Sequence, residues 1–193
     1  VTVSQAPSGK YYASILFEYE DQVQEKELQK FLGLDFSMHE LYRDSNGKEP
    51  AYPGYYRNAE KKLAREQRKL SKMQKGSKNR NKQRIKVAKL HEKVSNQRKD
   101  FLHKQSRQIT NAYDCVCVED LDMKAMSRLM NFGKSVSDND WGMFTTFLKY
   151  KLEEVGKRLV KIDKFFASSQ LCSDCGYQNS DTKDLSVREW TCP

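Results

Sequence analysis

The segment Tyr113-Asp-Cys-Val-Cys-Val-Glu-Asp120 decides the fold, because its apolar run ends in acids and predicts a buried β-strand. Upstream, Phe31-Leu-Gly-Leu-Asp-Phe36 predicts a second short strand that carries one acid inside an apolar run. Downstream, a helical period from Trp141 to Leu159 is followed by the strand-like stretch Leu159-Val-Lys-Ile-Asp163. Strands and helices in this order predict an α/β domain with a mixed sheet.

The N-terminal part of the chain predicts antiparallel pairing. Residues 1–20 are expected to form two strands around a turn, with the second strand running from Tyr11 to Tyr19. Leu41-Tyr-Arg43 is the next predicted strand after Phe31–Phe36, and Asp44-Ser-Asn-Gly47 is a strong turn signal. These segments together predict an antiparallel meander.

A helical insertion is predicted at about residues 55–112. Two thin apolar stripes at helical spacing mark two helices, which are separated by the break at Gln74-Lys-Gly-Ser-Lys-Asn79. The stripes consist of Ala59, Leu63, Leu70 and Met73 on the first helix, and of Val87, Leu90, Val94, Phe101 and Ile109 on the second. Further along, residues 122–139 are predicted to form a loop with a short helical piece, and Asp138 or Asp140 is expected to cap the following helix.

Positive charge is concentrated in the helical insertion. Residues 57–107 contain 19 Lys/Arg and 4 Asp/Glu, a local balance of +15 in a chain of net charge +9, which leaves −6 for the rest. This excess predicts a nucleic-acid partner, and about six phosphate contacts would give a log–log salt slope near −5 on duplex DNA. The alternative is a helical hairpin that is merely solvated. The predicted nucleic-acid-binding residues are Lys61, Lys62, Arg65, Arg68, Lys72, Lys75, Lys78, Arg80, Lys82 and Arg84.

Several functional classes are disfavoured by composition. No apolar run approaches the ~20 residues of a membrane-spanning helix, and no signal peptide is visible. Among the five cysteines, Cys115 and Cys117 lie in the apolar strand and are expected to be buried thiols. The remaining three have the spacing of a metal site rather than of a secreted disulfide framework, so a reducing cytoplasm is predicted.

The C-terminal cysteines predict a zinc ribbon. Cys172, Cys175 and Cys192 follow the spacing C-x2-C-x16-C, and Gly176 permits the turn of a zinc knuckle. A closed four-cysteine site requires a fourth cysteine, which this spacing places about two residues past Pro193. We therefore expect the chain to be a piece of a longer protein, with an incomplete structural zinc site.

Two carboxylates are the candidates for chemistry. Asp35 lies inside the strand Phe31–Phe36, and Glu119 ends the strand that begins at Cys115. An acid inside an apolar strand is expected to be buried, which costs several kcal/mol unless the acid is paired or binds a cation. Two acids side by side on neighbouring strands would repel each other, and Mg²⁺, which prefers oxygen ligands, would relieve that repulsion. The alternative is that both acids cap strand ends and pair with Arg or Lys. Asp120 and Asp122 are adjacent alternatives as candidate acids, but their positions are more typical of loop or helix-cap residues.

Aromatic residues offer a second way to bind nucleic acid. Trp141 has the helical spacing of a core residue and is predicted to pack in the core rather than stack on bases. Tyr52, Tyr55 and Tyr56 lie beside the basic region, where packing is favoured and stacking on nucleotides stays open.

These pieces, in this order, resemble the TnpB (OrfB) family of insertion-sequence proteins, which is related to the type V CRISPR effector nucleases. The resemblance covers roughly residues 28–193. It rests on Gly33-Leu-Asp35, the lysine-rich stretch from Ala59 to Arg80, His91–His103, Val118-Glu-Asp-Leu121, Trp141-Gly142, Phe165-Phe-Ala-Ser-Ser169, Cys172-Ser-Asp-Cys-Gly176 and Arg188-Glu-Trp-Thr-Cys192.

The resemblance implies an RNase H-like (RuvC-like) nuclease domain at residues 28–170, interrupted by the helical insertion. Residues 1–27 would be the tail of a wedge-like β domain, and residues 171–193 an incomplete zinc ribbon. The family's first catalytic Asp matches Asp35 and its catalytic Glu matches Glu119. The implied activity is Mg²⁺-dependent, RNA-guided cleavage of DNA, with DNA and guide RNA as partners rather than a membrane or a small-molecule substrate.

The family's third catalytic acid follows the fourth zinc cysteine, beyond Pro193, so the chain alone is expected to be inactive. The alternative hypothesis is a non-catalytic nucleic-acid-binding remnant of a decayed transposon protein. Metal-dependent cleavage distinguishes the two hypotheses.

Overall fold

The computed structural model describes residues 1–193 except 21–22, 38, 124, 127–139, 164–165, 168–169, 173, 185 and 188. The predicted loop over residues 122–139 and the motif at Phe165–Ser169 therefore lie largely outside the described residues. In chain order the strands are β1 Thr2–Gln5, β2 Tyr11–Ser14, β3 Phe31–Phe36, β4 Tyr42–Asp44, β5 Cys115–Glu119 and β6 Arg158–Ile162. The α-helices are α1 Tyr55–Lys72, α2 Lys78–Ala112 and α3 Trp141–Glu153, and Ser180–Lys183 form a 3₁₀ turn.

Four strands form a mixed sheet in the order β4-β3-β5-β6. β3 pairs antiparallel with β4 and parallel with β5, whereas β1 and β2 form a separate two-stranded sheet, so the predicted single antiparallel meander is wrong. β5 in turn pairs parallel with β6, and α3 lies between these two strands in the chain, which is the crossover that parallel pairing requires. The predicted α/β class with a mixed sheet is confirmed.

The sheet buries one face. Leu32 and Leu34 of β3 and Val116 and Val118 of β5 alternate with less buried residues, so their side chains share the face that joins the core. This core face packs against α2 and α3 through buried apolar side chains, which are Leu102, Ile109, Trp141, Phe144, Leu148 and Leu152. The intervening residues, including Phe31 and Val160, belong to the opposite face, called here the open face, where both are substantially exposed.

The helices α1 and α2 form a hairpin over the residues predicted for the insertion. α2 is about 50 Å long at the standard helical rise. Ser77 caps α2 by accepting a hydrogen bond from the Arg80 backbone N–H at 3.2 Å. Between the two helices the buried apolar residues are few, namely Leu63, Val87 and Val94, as the thin stripes predict. Among the described helices, none is long and apolar enough to cross a bilayer.

Two local predictions are wrong. The second strand was expected to reach Tyr19 but ends at Ser14, because β1 offers only the four pairing residues Thr2–Gln5. Asp140 precedes α3, yet its side chain makes no capping hydrogen bond. Instead its carboxylate accepts a 2.8 Å hydrogen bond from the Arg98 guanidinium on α2. Asp138, the other predicted cap, lies outside the described residues.

Lys157, a lysine with 10 % of its side chain exposed, ties together the starts of the parallel strands. Lys157 donates to the carbonyl oxygens of Thr110 and Tyr113, at 2.7 and 3.0 Å, at the end of α2. Its ammonium also lies 3.3 Å from the Asp114 carboxylate. Asp114 accepts a backbone hydrogen bond from Lys30 at 3.1 Å, which is the main reason that its pKa lies below its ordinary value. The starts of β3, β5 and β6 are thereby held in register, and this register places the acids at the strand ends.

The turn between α3 and β6 requires glycine. Gly156 has φ +70, and its N–H bonds the Glu153 carbonyl while the N–H of Lys157 bonds the Leu152 carbonyl, the pattern of a Schellman motif. A Cβ at position 156 would lie 2.0 Å from the backbone oxygen of Gln24. The segment before β3 therefore crosses this turn at a distance that only glycine permits.

We expect Gly156→Ala to lower the free energy of unfolding by about 2 kcal/mol or more, because left-handed strain and a backbone clash add. Urea unfolding measures the change. Gly142→Ala is the matched control, since Gly142 lies in α3 with open space around its Cα and alanine there should be neutral or slightly stabilising. Equal stability of the two variants would contradict the close approach at Gly156.

Candidate functional site

The sheet register brings the two candidate acids together. Leu34 of β3 is aligned with Val118 of β5, so the next residues along the two parallel strands are Asp35 and Glu119. Both follow buried residues, which places their side chains on the open face at the carboxyl ends of adjacent strands. The structure thus juxtaposes two carboxylates that are 84 positions apart in the sequence.

The two carboxylates interact electrostatically. The pKa of Glu119 lies above its ordinary value, first because the side chain is partly buried and second because the Asp35 charge repels it. Within the part of the chain that the structure describes, neither carboxylate has an ion-pair or hydrogen-bond partner. The cation directly across from Asp35, Arg43 of β4, instead pairs with Glu49. The alternative was that Arg or Lys neutralises the two acids, and no Arg or Lys of the described residues does so.

One part of the reasoning about Asp35 is wrong. An acid inside an apolar strand was expected to be buried and to need a partner for that reason, but Asp35 is exposed. The residue belongs to the open face, whereas the apolar residues beside it, Leu34 and Phe36, face the core. Because side chains alternate between the two faces of the strand, Asp35 is not buried and pays no cost of burial. The remaining reason for a cation at this site is the repulsion between Asp35 and Glu119.

The neighbouring acids have other partners. Asp120 accepts a 2.7 Å hydrogen bond from the Lys161 ammonium on the exposed edge of the sheet. The Asp122 carboxylate accepts from the Ala125 backbone N–H at 2.9 Å, which is a capping contact. Both residues behave as the loop and cap residues that the sequence predicts.

The three C-terminal cysteines converge. The Sγ atoms of Cys172, Cys175 and Cys192 all lie within 4.8 Å of one another, and Cys175 Sγ is 3.4 Å from Cys192 Sγ. Tetrahedral zinc with Zn–S bonds of ~2.3 Å separates its sulfurs by ~3.8 Å. The three thiols therefore fit three corners of a zinc site, as the spacing predicts. Cys115 is buried on β5 as predicted, whereas Cys117 is only half-buried because its side chain points to the opposite face of the strand.

The backbone shapes the knuckle around these cysteines. Gly176 adopts φ +74, and its N–H bonds the Cys172 carbonyl at 3.0 Å while the Cys172 N–H bonds the Tyr177 carbonyl at 2.9 Å. Backbone N–H groups from Cys175 and Asp174 lower the pKa of the Cys172 thiol. By contrast, the hydrogen bond with Cys175, assisted by burial, raises the pKa of Cys192 to about 12. Of these two thiols, Cys172 therefore loses its proton more readily than Cys192.

The basic hairpin presents its charge to solvent. Of the ten predicted nucleic-acid-binding residues, nine are exposed and Arg80 is half-buried. On α1 a cleft of 860 Å³ is lined almost entirely by cations, which are Lys61, Lys62, Arg65, Arg68, Lys69 and Lys72 together with Asn58. Closely spaced exposed cations of one sign are suited to a phosphate backbone.

A buried carboxylate that we did not anticipate holds this hairpin together. The Glu66 side chain is only 2 % exposed and lies 3.0 Å from the Lys86 ammonium and 2.9 Å from the Gln83 amide, both on α2. Arg65 and Lys69 approach the same carboxylate at 3.4 and 3.5 Å. These contacts, led by the Gln83 and Lys86 hydrogen bonds, lower the pKa of Glu66 to about 2. Its position between Leu63 and Leu70 on the apolar stripe is a signal that the sequence already carries.

We expect Glu66→Gln to lower the thermal midpoint by about 5 °C at pH 7, because the cations around Glu66 lose their shared anion while the side-chain volume is kept. The native pKa lies below the unfolded one, so the stabilisation is present above the unfolded pKa near 4.5 and is lost as the pH falls towards 2. The difference between variant and wild type should therefore shrink from pH 6 to pH 3 in thermal melts.

The control is Glu153→Gln, because Glu153 is exposed on α3 and lies 3.9 Å from Lys149. Surface pairs of this kind contribute little, so its midpoint should match that of the wild type. A constant midpoint difference for Glu66→Gln across this pH range would exclude the carboxylate as its source.

Of the aromatic residues considered for stacking on bases, Trp141, Tyr52 and Tyr55 pack against other rings of the protein. Trp141 is 3 % exposed and packs against Phe36 and Phe144, with ring centroids 5.6 and 5.4 Å apart. Tyr52 and Tyr55 both make edge-on contacts with Phe101 of α2. Packing, the favoured alternative for these residues, is confirmed.

Two family comparisons cover most of the chain. Residues 14–130, more than half of the chain, match the family OrfB_IS605, described as "Probable transposase". Residues 141–193 match the TNB domain of the Cas12f1-like family. The second match spans α3, β6 and the cysteine cluster.

Curated relatives cover the whole chain. A Streptomyces pristinaespiralis protein named "Putative RNA-guided DNA endonuclease" is 35 % identical over 192 residues, covering 100 % of this chain and 47 % of its own length. The Escherichia coli K12 protein named "Putative RNA-guided DNA endonuclease InsQ" is 30 % identical over 207 residues, with coverage of 100 % and 51 %. The chain therefore spans about half the length of these relatives.

A solved structure shares the fold. The cryo-EM structure of a Cas12f1-sgRNA-target DNA complex matches with a TM-score of 0.54 at 18 % identity, covering 88 % of this chain and 37 % of that one. Together, the motifs around Asp35 and Glu119, the cysteine spacing and the two family matches agree, and the chain belongs to the TnpB/OrfB family of insertion-sequence transposase-associated proteins.

Proposed function

We propose that this chain is the RuvC-like core, with an RNase H-like fold, of an RNA-guided DNA endonuclease that hydrolyses phosphodiester bonds with divalent metal. Asp35 and Glu119 are its metal-binding carboxylates within these residues. The hairpin of α1 and α2 binds the nucleic-acid backbone, and the cysteine cluster holds a structural zinc. The proposed compartment is the cytoplasm, where thiols stay reduced.

The observation that carries this proposal is the pairing of Asp35 with Glu119 across two adjacent parallel strands. Their carboxylates share the open face and lack a protein cation within the described residues, and partial burial followed by repulsion from Asp35 raises the Glu119 pKa. A structural acid pair normally recruits Arg or Lys, and here the nearest cross-strand cation serves Glu49 instead. Such a pair is suited to a hard divalent cation.

When bound, Mg²⁺ supplies Lewis-acid stabilisation of the transferring phosphoryl group and activation of a water. The contribution of the chain is to hold two carboxylate ligands on rigid strands rather than on loops. The Lys157–Asp114 contact fixes the register of these strands, and the core under Leu34 and Val118 fixes their depth. We propose that a third carboxylate, from residues that the longer relatives carry, completes the metal site.

Nucleic-acid binding is assigned to the basic hairpin. The cleft on α1 gathers six cations, and the Glu66 network prevents the two helices from separating under their own repulsion. We propose that guide RNA or target DNA lies along this surface through its phosphates, while base pairing between guide and target supplies the sequence specificity. The names of the two bacterial relatives support RNA and DNA as the partners.

Binding without catalysis is the second candidate. It is favoured by one observation, namely that only two carboxylates meet on the open face within the described residues. On this account the basic hairpin and the zinc module would bind nucleic acid and no bond would be cut.

The deciding experiment is a cleavage assay with the full-length natural protein, its guide RNA and a matched duplex. We expect cleavage with Mg²⁺ and none with EDTA, whereas the 193-residue chain should bind nucleic acid without cutting it. Binding by the full-length protein without cleavage in Mg²⁺ or Mn²⁺ would instead support the second candidate.

A further inference from the structure

An apolar cavity separates the β1–β2 turn from the helical hairpin. Its volume is 490 Å³, within the range of about 300–1,000 Å³ that is typical of small-ligand pockets. The walls are formed by Pro7 on one side and by Leu70, Val87 and Ala88 on the other. The cavity therefore lies where an exposed two-stranded sheet meets the most basic part of the molecule.

The wall formed by the β1–β2 turn is fixed in place. The Tyr12 hydroxyl donates a 2.7 Å hydrogen bond to the Glu92 carboxylate on α2, and the Lys10 ammonium lies 3.3 Å from the same group. Glu92 itself lines the cavity and is largely buried, with 17 % of its side chain exposed. These contacts join the sheet to α2 beside the cavity.

The polar side chains that line the cavity include those of Ser8 and Arg84. Ser8 lines it and is 5 % exposed; its hydroxyl faces the Glu92 carboxylate and helps to lower the pKa of that group, but it meets strict hydrogen-bond geometry with no atom of the described residues. Arg84 also lines the cavity, and Asn81 orients its guanidinium through hydrogen bonds of 3.2 and 3.0 Å. A buried hydroxyl whose hydrogen bond is poorly aligned gains when a ligand offers it a better-placed partner.

We propose that this cavity binds one unstacked nucleobase of a single-stranded RNA segment. The apolar walls would contact the faces of the ring, the Ser8 hydroxyl would bond its polar edge, and Arg84 would hold the adjoining phosphate. Charge complementarity favours this occupant, because the cavity adjoins the hairpin whose exposed cations attract phosphates. Surfaces that bind single strands combine such cations with sites for individual bases. The inference rests on the proposed function and adds a specific contact to it.

The test compares two RNA probes. Fluorescence anisotropy would measure the affinity of the 193-residue chain for a labelled short oligoadenylate and for an abasic ribose-phosphate oligomer of equal length at one salt concentration. The two probes carry the same phosphates, so only the bases differ. We expect the wild type to bind the base-containing probe about tenfold more tightly, the usual scale for one bound base.

Ala88→Phe should fill the cavity and abolish this tenfold preference, while affinity for the abasic probe stays unchanged. The matched control is Asn96→Phe, which adds the same side chain at an exposed position of α2 that does not line the cavity. It should keep the preference. Ser8→Ala, which removes only the hydroxyl, should reduce the preference by a smaller factor and guards against misfolding of the larger substitution.

The outcomes separate the two levels of the proposal. Binding of neither probe by the wild type would overturn the proposed nucleic-acid function and this inference together. Equal binding of both probes, or a preference that survives Ala88→Phe, would overturn the inference alone. If the inference alone is overturned, the cavity would be free for an apolar side chain of a protein segment instead.

Discussion

Replacing Asp35 by Asn in the full-length natural protein is expected to reduce DNA cleavage by about 10³-fold or more. A bound metal stabilises the transition state by several kcal/mol, and each 1.4 kcal/mol corresponds to about a tenfold change in rate. The amide keeps the size of the side chain but loses the negative charge that holds the cation. Asp35 is exposed and takes no part in the core, so the fold should be unaffected.

The measurement is the single-turnover cleavage rate at saturating guide RNA, with RNA affinity measured in parallel. Affinity for the guide should stay within about twofold of the wild type, because the basic hairpin that binds phosphates is separate from the acids. Glu119→Gln should behave like Asp35→Asn, since both remove a ligand from the same pair.

Asp120→Asn is the matched control for this experiment. Asp120 adjoins Glu119 in the sequence, but its carboxylate is taken up by Lys161 at 2.7 Å. Its loss should leave the cleavage rate close to that of the wild type. If Asp35→Asn retains cleavage, Asp35 has no part in the mechanism. If Asp120→Asn abolishes cleavage instead, the catalytic acid has been assigned to the wrong residue of the strand end.

The strands were predictable because local pattern and burial agree in them. Cys115–Glu119 and Phe31–Phe36 form strands at the predicted positions, and the segments with the two apolar stripes form α1 and α2 with the break between them. These elements depend mainly on periodicity and turn residues. The predicted strand up to Tyr19 failed because pairing requires a neighbour, and β1 is only four residues long. Propensity alone does not supply that neighbour.

The residues of the candidate site could be predicted from the sequence, but their spatial arrangement and contacts could be predicted only in part. The motifs single out Asp35 and Glu119, whereas their adjacency follows from the parallel pairing of β3 with β5, which one sequence does not fix. Glu66 was missed, although its place between Leu63 and Leu70 marks an acid on an apolar stripe. The contact of Gly156 with Gln24 joins segments 132 positions apart and leaves no local signal.

Replacing Cys172 by Ser in the full-length natural protein is expected to remove its structural zinc. Zinc affinity should fall by more than about 100-fold, since losing even a supporting group outside the ligand set costs about 10–100-fold. The three sulfurs already lie within 4.8 Å of one another, so the folded knuckle needs little rearrangement to bind the ion. Structural zinc contributes about 10–16 kcal/mol to the folding of finger peptides, and a module this small has few other contacts to replace it.

The zinc content after dialysis against a weak chelator, measured by mass spectrometry, checks this expectation, and limited proteolysis reports on the order of residues 171–193. Cys117→Ser is the matched control, because Cys117 is a half-buried thiol of β5 outside the cluster. The control should keep about one zinc per chain and resist the protease, whereas Cys172→Ser should lose both properties. Equal zinc in the two variants would mean that Cys172 is not a zinc ligand, and its side of the knuckle would then owe its shape to Gly176 and the backbone hydrogen bonds alone.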